Sequence, residues 1–288
     1  MKRPTPVLPP FLVLDQLLQG WLLEDIGRGD RTTQGLALPL NKSGQAVWVV
    51  KEAGVVAGLS IAARVFKLLD PKTTLIPKVS EGEFCAVGQA IAELDGSLES
   101  LLIGERTALN LAMRLSGIAT ATRRYVEQIA DLPAQLVDTR KTTPGLRLLE
   151  KYATQVGGAV NHRMGLDDAV MVKDNHISAA GGIGPAIAQI RSSIPYPLTI
   201  EVETERLEQV EEALHHGADI IMLDNMVPTL MQQAVATIRQ YNPRIKIEAS
   251  GNITLETIRT VAETGVDYIS SSAPITRSTW LDLSMRLL

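Results

Sequence analysis

From about residue 116 onward, short runs of Val, Ile, Leu and Met each end on polar or ionisable residues. The ends read Asp138-Thr139-Arg140-Lys141, Asn161-His162-Arg163, Lys173-Asp174-Asn175, Glu201 and Glu203, Asp224-Asn225, Ser250-Gly251-Asn252 and Ser271-Ser272. One such end is ordinary solvated charge; the same pattern at every end points to a site. Arg140, Lys141, Arg163 and Lys173, with His162 as a fifth, form a set of cations that would repel one another unless they met an anion bearing several charges. Arginine offers a planar fork to carboxylates and phosphates, and lysine a compact point charge. Crowding by other cations also lowers a lysine's proton affinity, so Lys141 and Lys173 are candidates for Schiff-base chemistry too. Glu203 and Asp224 are hard oxygen groups, suited to Mg²⁺ or to a ribose diol. "ASGN", with Ser250, Gly251 and Asn252, and "SSSA", with Ser271, Ser272 and Ala273, combine hydroxyls and backbone N–H groups near helix starts. Such segments hold a monophosphate or cap the helices that follow.

These groups act together only if a scaffold gathers the ends. The runs "AQLVDTR", "GAVNHR", "DAVMVKD", "LTIEVE", "DIIMLDN", "IKIEASG" and "VDYISSS" alternate with amphipathic pieces such as "ERLEQVEEALHHG". That rhythm predicts βα units around a parallel sheet, whose ligands collect at the carboxyl ends of the strands. About seven strand candidates over 116–274 favour barrel-like closure, complete or incomplete, over an open, doubly wound sheet. Residues 1–115 mix α and β without such a rhythm. A helix is expected after Pro9-Pro10, with Leu14, Leu17, Leu18, Trp21 and Leu22 at helical spacing. "QAVWVVKEAGVVAG" reads as strand, turn, strand; "SIAARVFKLLD" as a helix closed by Asp70-Pro71; and "SLESLLIGERTALNLAMRLSG" as a long helix. The fold class expected is α/β, in two domains divided at 115/116.

Composition removes other classes. The 288 residues carry 28 Lys+Arg against 32 Asp+Glu, a net charge of -4, which argues against nucleic acid or a membrane surface as the partner. Aromatic residues at 4% leave no stacking platform for single-stranded nucleic acid. No apolar run approaches the roughly 18 residues that a membrane span needs. The single cysteine, Cys85, allows no internal disulfide, suits a reducing cytoplasmic compartment and reads as a buried hydrophobe rather than a nucleophile. "GGIGPA" lacks the third glycine of a dinucleotide loop.

The segments "EDIGRGDRTT", "GERTALNLAMRLSGIATATRRYV", "DTRKTTPGLRLLEKYA", "GGAVNHRMGLDDAVMVKDNHI", "IEVET", "IMLDNM" and "EASGNI" closely resemble the quinolinate phosphoribosyltransferase family, in order over nearly the whole chain. The resemblance implies transfer of phosphoribose from phosphoribosyl pyrophosphate to quinolinate with Mg²⁺, giving nicotinate mononucleotide, CO2 and pyrophosphate. It implies an N-terminal α/β sandwich, joined by segment 275–288, and an incomplete seven-stranded TIM-like barrel. It also implies a homodimer with shared active sites, alone or assembled into a hexamer as a trimer of dimers. Carried over residue by residue, Arg106 of "GERT" reaches the neighbouring subunit's site and joins Thr139, Arg140, His162, Arg163 and Lys173 around quinolinate. Lys141 faces pyrophosphate, Glu203 and Asp224 the ribose hydroxyls and metal, and Ser250, Gly251, Asn252, Ser271, Ser272 and Ala273 the 5′-phosphate. After the last strand, many members read Gly-Ala-Leu-Thr-His; this chain reads Ser272-Ala273-Pro274-Ile275-Thr276 and then Arg277. Ser272 or Arg277 is then expected to replace the usual glycine and histidine contacts.

Overall fold

Pro10 stands in an extended conformation directly before helix α1 (Phe11–Ile26), whose Leu14, Leu18 and Leu22 are buried, while Leu17 and Trp21 are half-buried. The computed structural model describes residues 5–39 and 42–288, which divide into two compact units. One holds the described residues up to Arg123 together with Thr143–Gly158 and Arg277–Leu288; the other holds Arg124–Thr142 and Ala159–Thr276.

In the first unit, Asp30 opens helix α2 (Arg31–Gly35) by accepting the N–H groups of Thr32 and Thr33 at 2.9 and 3.2 Å. Strand β1 (Ser43–Val50) turns into β2 (Gly54–Val55), followed by helix α3 (Leu59–Leu69) and strands β3 (Thr74–Pro77), β4 (Phe84–Cys85) and β5 (Ala90–Ser97). β5 runs antiparallel to both β1 and β3, and β2 pairs with β4. Buried Trp48 of β1 meets buried Phe66 of α3 edge to face, with centroids 6.3 Å apart, so α3 covers this sheet. Cys85 is buried, and burial pushes its thiol up, away from nucleophilic reactivity. Helix α4 (Leu98–Gln128) runs unbroken through residues 115/116 and leaves the first unit only after Arg123. A Cβ on Gly104 would lie 2.8 Å from the Phe66 ring; the glycine of "GERT" therefore sets how closely α4 approaches α3.

The second unit begins with the end of α4 and strand β6 (Gln135–Val137). Helix α5 (Arg147–Gly157) clusters with the first unit, where Arg123 donates to the Gly157 carbonyl at 2.9 Å. The parallel rhythm then proceeds through β7 (Val170–Val172), α6 (Asp174–Ala180), α7 (Ile183–Arg191), β8 (Ile200–Thr204), α8 (Leu207–His215), β9 (Ile220–Asp224), α9 (Pro228–Tyr241), β10 (Lys246–Ser250), α10 (Ile258–Ala262), β11 (Tyr268–Ser270) and α11 (Ala273–Thr276). The strand order is β6-β11-β10-β9-β8-β7, all parallel. "GAVNHR", expected as a strand, contributes a single parallel bridge, Val137 to Val160. The reason is Asp138: its carboxylate accepts the His162 backbone N–H at 2.9 Å and Asn161 Nδ2 at 2.6 Å, so side-chain bonds replace the ladder there. The barrel is therefore incomplete, open between Val160 and β7. The last strand, β12 (Leu283–Leu287), returns to the first unit and pairs antiparallel with β1, giving the order β12-β1-β5-β3.

Strand alternation separates the barrel's two faces. Ile200, Val202, Ile221, Leu223, Ile247 and Ala249 enter one core with Val210 and Ala213 of α8 and Met231 and Ala234 of α9. Glu201, Glu203, Asp224, Glu248 and Ser250 alternate with them and take the inner face. "GGIGPA" closes α6 with left-handed Gly181 and opens α7 with Gly182, a helix-to-helix turn. No helix among the described residues is long and apolar enough to cross a membrane.

Candidate active site

At the inner face, His162 Nε2 lies 3.1 Å from Glu201 Oε2 and 3.4 Å from Glu248 Oε2. Both glutamates are 3% exposed, and each leaves its Oε1 buried without a hydrogen-bond partner among the described residues. The opposite ring nitrogen, Nδ1, accepts the Arg163 backbone N–H at 2.7 Å. Burial opposes a charge on His162, yet the two carboxylates outweigh it and push the imidazole up to about 10. Burial raises Glu201 as well, reinforced by the like charge of Glu248. Because Nδ1 is committed as an acceptor, the proton that this cluster retains is shared on the other side, among Nε2 and the two carboxylates. The three ligand atoms lie within 4.8 Å of one another, a spacing that also fits a metal ion.

Arg163 donates its Nη1 to the Ala169 carbonyl at 2.8 Å. Its proton affinity is lowered first by burial and then by the positive charge of Arg140. Arg140 has a buried Nε with no partner among the described residues. Two adjoining guanidiniums, one with an unused buried donor, make this pocket electrostatically suited to an anion. Lys173, at the end of β7, pairs with Glu203 of β8 at 2.7 Å. Lys141 is exposed, on a turn where Thr139 Oγ1 accepts its backbone N–H at 3.0 Å.

The ends of β9 and β10 are tied together. Asn225 donates Nδ2 to Asp224 Oδ2 at 2.7 Å, and Asn252 donates Nδ2 to Asn225 Oδ1 at 3.2 Å. The Asn225 backbone N–H reaches the Ser250 carbonyl at 2.9 Å. Gly251 has φ +98, and a Cβ there would lie 2.6 Å from Asn225 Cγ and 2.8 Å from its nitrogen, so only glycine fits. At the end of β11, the buried Ser271 hydroxyl donates to the Ile253 carbonyl and accepts the Ala273 N–H, both at 3.3 Å. Ser271 thus braces the loop, while Ser272 is half-exposed.

The second unit brings together Thr139, Arg140, Lys141, His162, Arg163, Lys173, Glu203, Asp224, Ser250, Gly251, Asn252, Ser271, Ser272 and Ala273 at the carboxyl ends of its strands. Arg106 is exposed on α4, and Arg277 is exposed too; both belong to the first unit. Alternation places Glu201 and Glu203 on the same face, and the structure separates their roles: Glu201 lies deep against His162, and Glu203 pairs with Lys173 nearer the mouth. Sequence reasoning missed Glu248. Its signal was available, since Glu248 stands two residues before Ser250 and shares its face.

Family models match both parts of the chain: "Quinolinate phosphoribosyl transferase, N-terminal domain" over residues 30–116 and "Quinolinate phosphoribosyl transferase, C-terminal domain" over 118–286. The chain is 60% identical to a probable nicotinate-nucleotide pyrophosphorylase [carboxylating] of Synechocystis sp., over 99% of this chain and 96% of that one. It is 46% identical to the Bacillus subtilis protein of the same name, over 95% and 93% of the two chains. The crystal structure of NadC from Streptococcus pyogenes superposes with a TM-score of 0.92 at 42% identity, covering 99% of each chain.

Proposed function

Because the chain belongs to the quinolinate phosphoribosyltransferase family, we propose that its barrel mouth divides into a quinolinate subsite and a phosphoribosyl subsite. The enzyme is a pentosyltransferase: it transfers phosphoribose from phosphoribosyl pyrophosphate to quinolinate, producing nicotinate mononucleotide, CO2 and pyrophosphate for NAD synthesis. The observation that carries the quinolinate subsite is the orphan Nε of Arg140 beside Arg163, whose charge is already disfavoured by burial. A dianionic pyridine dicarboxylate relieves both conditions at once. Lys173 adds a third cation, Thr139 a hydroxyl, and His162 fixes the Arg163 backbone through Nδ1. In a homodimer with shared sites, exposed Arg106 of the partner subunit completes the anion pocket, and such dimers can assemble further into hexamers. The single buried cysteine suits a reducing, cytoplasmic setting.

In the phosphoribosyl subsite, Ser250, Gly251, Asn252, Ser272 and the Ala273 backbone surround the 5′-phosphate, with Ser271 bracing them. Lys141 faces the pyrophosphate. Glu203 and Asp224 are hard carboxylate donors at the ends of adjacent strands, and they would hold Mg²⁺, which neutralises charge on the leaving pyrophosphate. The cations orient the pyridine nitrogen toward the anomeric carbon; the new C–N bond forms as the C–O bond to pyrophosphate breaks. The nitrogen then carries positive charge, which stabilises the carbanion left when the adjacent carboxylate departs as CO2. That carbanion takes a proton, and the transfer step needs no general base.

Calorimetric titration with quinolinate, together with product analysis for nicotinate mononucleotide and CO2, tests the assignment. Arg140→Ala or Arg163→Ala is expected to abolish quinolinate binding while leaving phosphoribosyl pyrophosphate binding in place. Unchanged quinolinate affinity in either variant overturns the subsite.

A further inference from the structure

Asn225 has a backbone conformation that side-chain-bearing residues seldom adopt: its φ is +53, in the left-handed region. Asn252 shares it, with φ +51. Asparagine tolerates this region better than most residues, but the position still calls for a reason. The hydrogen bonds supply one. From this backbone, the Asn225 amide donates Nδ2 to the carboxylate of Asp224 and accepts from Asn252 through Oδ1, while its N–H holds the Ser250 carbonyl. Gly251 lies against the same side chain so closely that a methyl group is excluded. Asp224, Ser250, Gly251 and Asn252, the neighbours that Asn225 engages, are therefore all residues of the phosphoribosyl subsite, and its side chain extends beyond the strand ends the register that pairs Asp224 with Ser250.

We propose that Asn225 is a positioning residue for phosphoribosyl pyrophosphate, fixing the Asp224 carboxylate and the Ser250–Asn252 loop at one mutual distance, through its clasp between the ends of β9 and β10. The proposal rests on the phosphoribosyl reading of those residues. An amide is required because one end of the side chain must donate to a carboxylate while the other accepts from an amide. Aspartate preserves the acceptor for Asn252 but sets a second negative charge against Asp224. Glycine preserves the left-handed backbone and removes both side-chain bonds.

Calorimetric titration of phosphoribosyl pyrophosphate with Mg²⁺, and steady-state kinetics with both substrates, read the clasp separately from the fold. Asn225→Gly is expected to weaken phosphoribosyl pyrophosphate binding and raise its KM by about ten-fold or more, the size of one lost hydrogen bond to a charged group. KM for quinolinate should stay within about two-fold, and Tm close to wild type. Asn225→Asp should weaken it further than Asn225→Gly. Because Asn252 bonds through Asn225, adding Asn252→Ala to Asn225→Gly should cost less than Asn252→Ala alone. Equal phosphoribosyl pyrophosphate affinity in wild type and Asn225→Gly overturns the proposal, as does a parallel rise in both KM values. Failure of the wild-type enzyme to form nicotinate mononucleotide would instead refute the function; the phosphoribosyl pyrophosphate titration still decides the role of Asn225.

Discussion

The buried His162–Glu201–Glu248 cluster makes a quantitative prediction for Glu248→Gln. At 3.4 Å and an effective dielectric near 20, one carboxylate attracts an imidazolium by roughly 5 kcal/mol. Burial of both groups returns part of that. Removing the Glu248 charge should therefore lower the proton affinity of the cluster by about two to three pH units. In the wild type, the affinity is raised from the ordinary 6.5 to about 10. The stabilisation it brings is complete below about pH 6.5 and is lost as pH rises through about 10, because the native state holds a proton that the unfolded chain has released. In that window the cluster contributes a decline of about 1.4 kcal/mol per pH unit. Urea unfolding from pH 7 to 9 at constant ionic strength should show a steeper loss of stability for wild type than for Glu248→Gln. Nitrogen-15 correlation spectra of the ring, where only four histidines are present, should show a cluster titration near neutrality in the variant and none there in the wild type. Parallel stability profiles, or an ordinary His162 midpoint in the wild type, would refute this account.

Two further substitutions probe the scaffold. Asp267 Oδ2 accepts the Ile247 N–H and Arg239 Nη2, both at 2.8 Å, at the start of β10; Asp267→Ala should cost about 1–3 kcal/mol in urea unfolding, and a change below about 0.5 kcal/mol would count against that role. Gly251→Ala should leave quinolinate affinity intact and reduce that for phosphoribosyl pyrophosphate at least ten-fold, since the methyl group must displace Asn225; retention of affinity by isothermal titration would contradict the close packing.

The strand-end residues were legible because a parallel sheet delivers its carboxyl ends to one place, and the apolar run preceding each end marks the strand. Glu248 was marked only by alternation: it shares the face of Ser250 but lies two residues short of the strand end, and alternation by itself, as at exposed Lys246, equally describes a solvent-facing side. The strand expected at "GAVNHR" failed because Asp138, at the neighbouring strand's end, satisfies backbone that a ladder would otherwise pair. Helix α5 lies among the barrel repeats in sequence yet packs with the other unit through Arg123, and no local pattern signals such a long-range contact. Lys173 was legible as a cation, but its partner Glu203, thirty residues on, was not paired with it by spacing.

The pairing of β12 with β1 imposes an order on biosynthesis. β1 precedes its partner for residues 46–50 by about 230 residues. At roughly 5–20 residues per second, that edge waits on the order of 10–50 seconds, while the whole barrel unit can be made and folded in between. During that interval Ala46, Trp48 and Val50 flank an unpaired row of backbone groups, the kind of edge that recruits other strands. Growing chains are thus most vulnerable to association through β1, and release of residues 283–287 is the event that ends the exposure.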